Sequence, residues 1–421
     1  MDSASLTARL DEVRGGDSRE LDRVCEEAAQ ELVAAGVEPP FDVASADFAA
    51  DARLICADRY WRLRFLRVPG VRTAAACAAW LGSHVPAGVR TEVREKWSLG
   101  YAFITRDTVE SAAELAEATG EIVARDAAPG DIAYFATLYH AGKLRANFCF
   151  DELHTFLESS LLALAAGPHR RDPLFTALRA FAAFGSRALA AEYATGLLDE
   201  AWGAGARRTR HVVDVCLNGI HAAAPFDGQG ELLRSRAQEA VAEYAADHLF
   251  RFRLACGQYL CGLHDEALDS VDRALALLPA VGSRGSHRLL QEQYLGLRTT
   301  VLDARLRAGR EAEFQRRLEV REAEHRLRWE RLEAELQQAR SSAVRAVELV
   351  AVFTAAIAFA VGSLQVTLNG AIPLRDRLWL ITALGAGLAV FALLVVGGTW
   401  LITRPVRPSG RRSRNLPPSA R

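Results

Sequence analysis

Two long uncharged stretches near the end of the chain dominate its pattern of apolar and polar positions. One runs from Leu349 to Leu368 and the other from Leu378 to Ile402. A helix of about 20 apolar residues covers a hydrocarbon core of about 30 Å, so each stretch is long enough to cross a membrane. The alternative is a pair of buried core helices in a soluble domain, but such helices rarely run for so many residues without a charged side chain. The sequence therefore predicts transmembrane helices at 349–368 and 378–402.

The residues around these stretches predict their orientation. A short segment with Gly370 and Pro373 separates them, so both outer ends lie on one side of the bilayer. Arginines precede the first stretch and six of them follow the second, while the connecting segment has two. Because basic residues accumulate on the cytoplasmic side, we expect both termini in the cytoplasm of a multi-pass protein of the inner (plasma) membrane. The tail, 403–421, reads as basic and disordered.

A charged segment without Pro or Gly after Gly309 precedes the first stretch. It predicts a helical stalk at 306–348, continuous with the first span. A heptad pattern could pair it in trans as a coiled coil, which would allow a homo-oligomer through the stalk and the spans. The alternative is a solvated helix that lies on its own domain. The heptad positions are Leu318, Glu322, His325, Trp329, Leu332, Leu336, Ala339, Ala343, Ala346 and Val350.

Residues 130–305 have the rhythm of Ala- and Leu-rich helices, with breaks expected at Gly142, Gly167, Gly203, Gly228 and Pro279. The clearest unit begins at Leu254, turns at Gly262 and ends at Pro279, with small residues such as Ala267 and Ala274 at regular positions. This unit resembles a tetratricopeptide (TPR) repeat. The resemblance implies a TPR-like α-solenoid whose concave face binds a protein partner. An irregular helical bundle with one such hairpin remains the alternative.

The pattern of the N-terminal region predicts both helices and strands. Residues 1–50 read as helices with an apolar face that includes Leu21, Val24 and Leu32. Within 52–126, Trp61, Leu63 and Phe65 alternate with arginines, as in a strand, and further alternation follows. Asp107 and Glu110 suggest a capping box at the start of a helix. The expected order is β-α-β-β-α-β, a small ferredoxin-like α/β domain in a mainly α protein.

Within this segment, Gly100-Tyr-Ala-Phe-Ile104 resembles the third-strand signature of the RNA-recognition motif family. The resemblance implies that Tyr101 and Phe103 stack on bases, with Phe65 as the first-strand aromatic. Leu99 stands where the family has a basic residue, and Arg106 where it has a final aromatic. The third-strand signature is therefore incomplete in this sequence.

Composition changes this picture little. The net charge of −1 gives no global attraction for nucleic acid, so nucleic acid is not the expected partner. The seven cysteines are scattered through apolar stretches, as expected of reduced cysteines packed in a core. The preference for arginine over lysine is typical of a GC-rich bacterial genome. The N-terminus has no basic and apolar leader, so we expect the large N-terminal part in the cytoplasm.

The search for catalytic chemistry gives no strong candidate. Cys256, Cys261 and His264 lack the spacing of a zinc site, and Asp151 with His154 could equally be a helical surface. We therefore expect no enzyme, no cofactor and no metal. The leading interpretation is a membrane-anchored scaffold or adaptor that binds a protein partner.

The order of a cytosolic region, a stalk and a two-span hairpin also resembles membrane effectors of bacterial antiphage (conflict) systems, including those linked to caspase-like proteases. That resemblance implies a membrane-disrupting assembly. A membrane-tethered nucleic-acid sensor is the alternative.

Overall fold

The computed structural model describes residues 3–13, 18–124, 129–278, 284–368 and 373–403. The chain divides into two compact units, Met1–Ala308 and Gly309–Arg421. All regular secondary structure in the described residues is helical. The α-helices are α1 (Ser3–Glu12), α2 (Ser18–Ala35), α3 (Ala52–Arg67), α4 (Val71–His84), α5 (Ala87–Ile104), α6 (Ala112–Val123), α7 (Pro129–Ala146), α8 (Phe150–Ser159), α9 (Leu161–Ala165), α10 (Pro173–Gly185), α11 (Ala191–Trp202), α12 (Arg210–Ala222), α13 (Gln229–Glu243), α14 (His248–Leu260), α15 (His264–Ala276), α16 (Arg284–Leu368) and α17 (Leu374–Thr403).

The prediction of a ferredoxin-like α/β domain at 52–126 is wrong for the residues described, which form α3 to α6 and no strand. Trp61 and Phe65 lie four residues apart, as do Trp97 and Tyr101, so each pair shares one helical face. All four side chains are buried. A short apolar alternation fits both the strand and the helix period, and here the four-residue spacing decides.

The predicted helix start at Asp107 is also wrong. Helix α6 begins at Ala112, and Ser111 caps it: the Glu114 N–H donates to Ser111 Oγ (3.3 Å) and the Ser111 N–H donates to Glu114 Oε2 (2.8 Å). The true box has the same Ser/Asp-x-x-Glu spacing as the expected one, four residues later. Glu110 is consequently available for another contact, described below.

The helical prediction for the middle of the chain is confirmed in its coarse form. Helices α14 and α15 form a pair where the TPR-like unit was expected, and Gly262 makes the turn between them with φ of +76°. Glycine adopts this left-handed conformation at little cost. The expected end of the unit, Pro279, lies outside the described residues.

Gly142 is not the break that the sequence suggested. It lies inside α7, and a Cβ there would be 2.6 Å from the Cβ of Ala102 on α5. No real side chain fits at that distance. The glycine therefore allows the backbones of α5 and α7 to approach each other closely.

The two apolar stretches are helical where the sequence placed spans. Helix α16 includes the predicted stalk and the first stretch without interruption, and α17 includes the second. Both are long and apolar enough to cross a membrane. Most of the connecting segment, 369–372, and all of 404–421 lie outside the described residues, so the predicted turn is described only from Pro373 onward.

Candidate functional sites

The three aromatic residues considered for base stacking occupy two environments. Phe65 and Tyr101 are buried, and their rings stack on each other with centroids 4.7 Å apart. The Tyr101 hydroxyl donates to Asp58 Oδ1 at 2.9 Å. Phe103 is half exposed, with the Arg106 guanidinium 4.3 Å from its ring centroid. Two of the three rings thus belong to a core, and the strand surface that would present them to a base is replaced by helices.

Phe148, which the sequence did not single out, is exposed and has an unusual backbone. Its φ of +56° lies in the left-handed region, which a bulky side chain avoids at a cost of about 1 to 3 kcal/mol. It follows the end of α7, where Asn147 Nδ2 donates to the Arg106 carbonyl at 2.8 Å. Arg106 contacts both Phe103 and Asn147, and Phe148 is the next residue along the chain. The Phe148 ring lies beside those of Phe150 and Phe181, with centroids 5.9 and 6.5 Å away. We call Phe103, Arg106, Asn147 and Phe148 the aromatic corner. Strained backbone is found most often at functional sites, so this corner is a candidate contact surface.

A buried ionic cluster joins the segment before α6 to α7. Lys143 is fully buried, and its ammonium donates to Glu110 Oε1 (2.9 Å) and to the Thr108 carbonyl (2.7 Å). His140 Nδ1 lies 2.9 Å from the other Glu110 oxygen. Burial alone would raise the pKa of Glu110, but the hydrogen bonds and charges of His140 and Lys143 lower it to about 2. The cluster replaces the water that these charges lose, which is the requirement for burying an ion pair.

A polar cavity of about 490 Å³ lies between α5 and α12. The Glu95 carboxylate is almost fully buried there, and Thr209 Oγ1 donates to its Oε2 at 2.5 Å. His211 Nδ1 is 3.9 Å from the same oxygen. The cavity lining consists of Glu92, Glu95, Lys96, Thr209, Arg210, His211 and Tyr244.

Burial controls the charges in this cavity. It raises the pKa of Glu95 to about 7, although the Thr209 hydrogen bond opposes the shift. It also lowers the pKa of His211 to about 4, and the nearby Arg210 adds to that effect. Near neutral pH, Glu95 is therefore protonated in some molecules and ionised in others, while His211 is neutral. Groups of this kind can exchange a proton with a small polar ligand, which makes the cavity a candidate binding site.

The residue sets that the sequence weighed for metal or acid–base chemistry are explained by packing. Cys256 is buried, and the His264 ring lies against Tyr259 with centroids 6.2 Å apart. Asp151 accepts a hydrogen bond from Ser186 Oγ at 2.6 Å. In the part of the chain that the structure describes, no group of three His, Cys, Asp or Glu side chains is close enough to hold a metal ion.

The two apolar helices of the second unit contact each other through small residues. A Cβ on Gly362 of α16 would lie 2.7 Å from Leu384 Cδ2 of α17, and one on Gly385 would lie 3.4 Å from Phe359 Cε2. Each glycine thus receives a large side chain from the other helix. Such small-residue contacts allow close helix packing in lipid, where no hydrophobic effect drives helices together.

Comparison of the chain with protein-family models, with curated proteins and with solved structures gives no match. The functional argument therefore rests on the residues of the chain itself.

Several of these residues carried no signal in the sequence. Glu95 and Thr209 meet only because α5 packs near the start of α12, more than a hundred positions away. Lys143 could have been noticed, since it is one of only two lysines and lies on an apolar helix. Phe148 could not, because its backbone angle depends on how α7 ends.

Proposed function

We propose that this protein is a membrane-anchored scaffold of the cytoplasmic face, with both termini in the cytoplasm. In this proposal, residues 349–368 and 378–402 cross the inner membrane as a hairpin, and the helical first unit binds a protein partner. The basic residues on both outer flanks of the hairpin support the orientation.

The observation that carries the anchor is the exposure of large apolar side chains along both helices. Ile357 and Leu364 on α16 are 63% and 62% exposed, and Trp379 and Leu393 on α17 are 74% and 72% exposed. Covering apolar surface contributes about 25 cal/mol per Å², so a row of such side chains in water is strongly unfavourable. Lipid removes this cost, and each helix is long enough to cross the hydrocarbon core.

Cell fractionation tests the anchor. The full chain is expected in the membrane pellet after an alkaline wash, and a chain that lacks residues 349–402 is expected in the soluble fraction. Recovery of the full chain in the soluble fraction would contradict the anchor. For orientation, a cysteine placed at Asn369 should react with an impermeant thiol reagent in intact cells, whereas one placed at Ser413 should not.

The scaffold part of the proposal is supported by two features of the first unit. The α14–α15 pair has the turn and the small buried residues of a TPR-like repeat, a class that binds proteins through stacked helices. The aromatic corner presents Phe148, 55% exposed, on a strained backbone. The corner also presents Phe103, 50% exposed, with the Arg106 guanidinium over its ring. Aromatic and arginine side chains are enriched where proteins bind each other.

A capture experiment tests this surface. The full chain in mild detergent is expected to retain one protein in stoichiometric amount, and Phe148→Asn should reduce that amount at least tenfold. Asparagine tolerates the left-handed backbone, so the turn should persist. Leu161→Asn is the matched control, since Leu161 is 72% exposed and lies outside the aromatic corner. Equal capture by both variants would remove the aromatic corner from the proposal.

A membrane effector is the second candidate. It is favoured by the groove of about 490 Å³ between the two spans, which small residues such as Ala355, Ala358, Ala383 and Gly387 line and which could receive a helix of another copy. Induced expression should then lower viability and membrane potential, and deletion of residues 349–402 should restore both. Normal growth at high expression would favour the scaffold alone.

A further inference from the structure

The stalk part of α16 carries an apolar row that its own unit leaves uncovered. Trp329, Leu332 and Leu336 are 71%, 50% and 60% exposed, and Ala339 and Ala343 are exposed as well. They alternate at spacings of three and four residues, the repeat of a two-stranded coiled coil. A charged helix with such a row is stable in water mainly when a second helix covers the row.

The row continues through the first span without a change of spacing. Ala346 and Val350 lead into Phe353, Ile357, Ala360 and Leu364, and the large members of this series are 59% to 63% exposed. We call the full series from Trp329 to Leu364 the seam.

The seam lies on the side of the span opposite to the hairpin contact. Ala355, Phe359 and Gly362 face α17, as the close approach of Gly362 to Leu384 shows. At about 100° per residue, Phe353, Ile357 and Ala360 lie roughly 140° to 200° around the helix from Ala355. A partner helix can therefore cover the seam without displacing α17.

We infer that two copies of this chain pair in parallel along the seam, through the stalk and the first span as one continuous interface. The inference rests on the proposed membrane anchor, because copies inserted in one membrane point the same way. It extends that proposal by naming the partner of the stalk and the residues that meet.

Charges beside the seam favour the parallel arrangement. In the heptad frame, Trp329 and Leu336 occupy a positions, so Arg328 and Glu335 occupy g positions and Glu333 and Arg340 occupy e positions. In a parallel pair, each g position faces the e position five residues later on the other helix. Arg328 then faces Glu333, and Glu335 faces Arg340. Within the described residues none of these four side chains forms an ion pair with its own chain.

The same register identifies where pairing begins. Further toward the N-terminus, Arg321 would face Arg326 of the other copy, and the heptad positions hold Glu322 and His325. Like charges and polar seam residues both disfavour contact there. Two independent features thus place the start of the interface near Trp329.

Disulfide crosslinking of the full chain in native membranes tests the pairing. With Ala339→Cys, which lies on the seam, brief treatment with copper–phenanthroline is expected to give a covalent dimer. Ser341→Cys, on the opposite side of the same turn, should give at least tenfold less, as should the parent chain with its native cysteines. Equal crosslinking at both positions would overturn the inference.

Charge reversal tests the register. In the Ala339→Cys chain, Glu335→Arg places two arginines face to face and should reduce the dimer severalfold, whereas adding Arg340→Glu should restore it. Failure of the second change to restore the dimer would overturn the parallel register. Membrane fractionation of the same samples separates the two proposals: a chain absent from the membrane contradicts the anchor, and a membrane-bound chain without seam crosslinks contradicts the pairing alone.

Discussion

The two units differ in the exposure of their tryptophan side chains. Trp97 in the first unit is 1% exposed and lies among Trp80 and Tyr101, with ring centroids 5.9 and 5.8 Å away. Trp329 in the second unit is 71% exposed. Charges differ in the same sense, since the first unit buries Lys143 in an ionic cluster whereas the stalk keeps its charges in solvent. The first unit buries all four of its tryptophans, Trp61, Trp80, Trp97 and Trp202, within its own helices.

The second unit exposes Trp329 and Trp379 instead. This difference indicates which of its surfaces have no covering side chains from the same unit. Helix α16 exposes a tryptophan, a row of leucines and a long apolar stretch. In the proposals above, lipid covers the apolar stretch and a second copy covers the stalk. The first unit thus has a packed core of its own, whereas the large apolar side chains of the second unit are mostly exposed.

Matched tryptophan substitutions give the largest test of this contrast. Trp97→Ala should lower the free energy of unfolding of the first unit by about 3 to 5 kcal/mol, because it opens a cavity in a packed core. Trp329→Ala should change that energy by less than about 0.5 kcal/mol, because Trp329 lies in the second unit and outside the core of the first. Urea unfolding of the full chain in mild detergent, followed by tryptophan fluorescence and circular dichroism, measures both.

The Trp329→Ala variant also tests the proposed pairing of two copies along the seam. In the crosslinking experiment, Trp329→Ala should reduce the seam dimer while leaving the first unit intact. If Trp97→Ala proved as mild as Trp329→Ala, the first unit would not be the self-sufficient core described above.

Removal of one partner from the buried ionic cluster should have the next largest effect. Lys143→Met keeps the volume of the side chain but leaves the Glu110 carboxylate with one partner fewer in a buried site. Loss of one member of a buried pair costs about 3 kcal/mol. Arg23→Met is the control, because the Arg23–Glu27 pair is exposed and such pairs contribute about 0 to 1 kcal/mol.

Urea midpoints for the two variants decide the comparison. A Lys143→Met chain that is as stable as Arg23→Met would show that the cluster is hydrated and that its charges do not depend on each other.

The sequence predicted the second unit better than the first. Charge-free runs such as Leu378 to Ile402 carry their meaning locally, since length and hydropathy alone determine whether a helix can cross a membrane. The heptad row from Trp329 is similarly local. The two apolar helices could therefore be predicted without knowledge of any distant contact, whereas the pairing of the heptad row stays a prediction.

The prediction for the first unit was wrong where a local pattern of apolar residues fits both a strand and a helix. Trp61, Leu63 and Phe65 alternate as in a strand, yet Trp61 and Phe65 are also one helical turn apart, and burial of both rings against α4 and α5 decides for the helix. The cavity around Glu95 was unreadable for another reason. Its members come from α5 and α12, and only tertiary packing brings them together.

The smallest predicted effect concerns the pH dependence of that cavity. The folded-state pKa of Glu95, about 7, exceeds its ordinary value of 4.5, so the folded state binds more protons and stability falls as pH rises from 4.5 to 7. The folded-state pKa of His211, about 4, lies below its ordinary 6.5, so stability rises as pH rises from 4 to 6.5. The two contributions oppose each other over nearly the same range.

Single substitutions should uncover each contribution. Relative to the parent chain, Glu95→Gln should gain stability as pH rises from 4.5 to 7, and His211→Gln should lose its relative stability as pH rises from 4 to 6.5. Each change should amount to about 2 kcal/mol, given about 1.4 kcal/mol per pKa unit and some water in the cavity. Urea unfolding at intervals from pH 4 to 7.5 measures the differences. If neither variant's difference in unfolding free energy from the parent chain changed with pH, both side chains would titrate as solvated groups. The cavity would then lack the shifted pKa values that make it a candidate binding site.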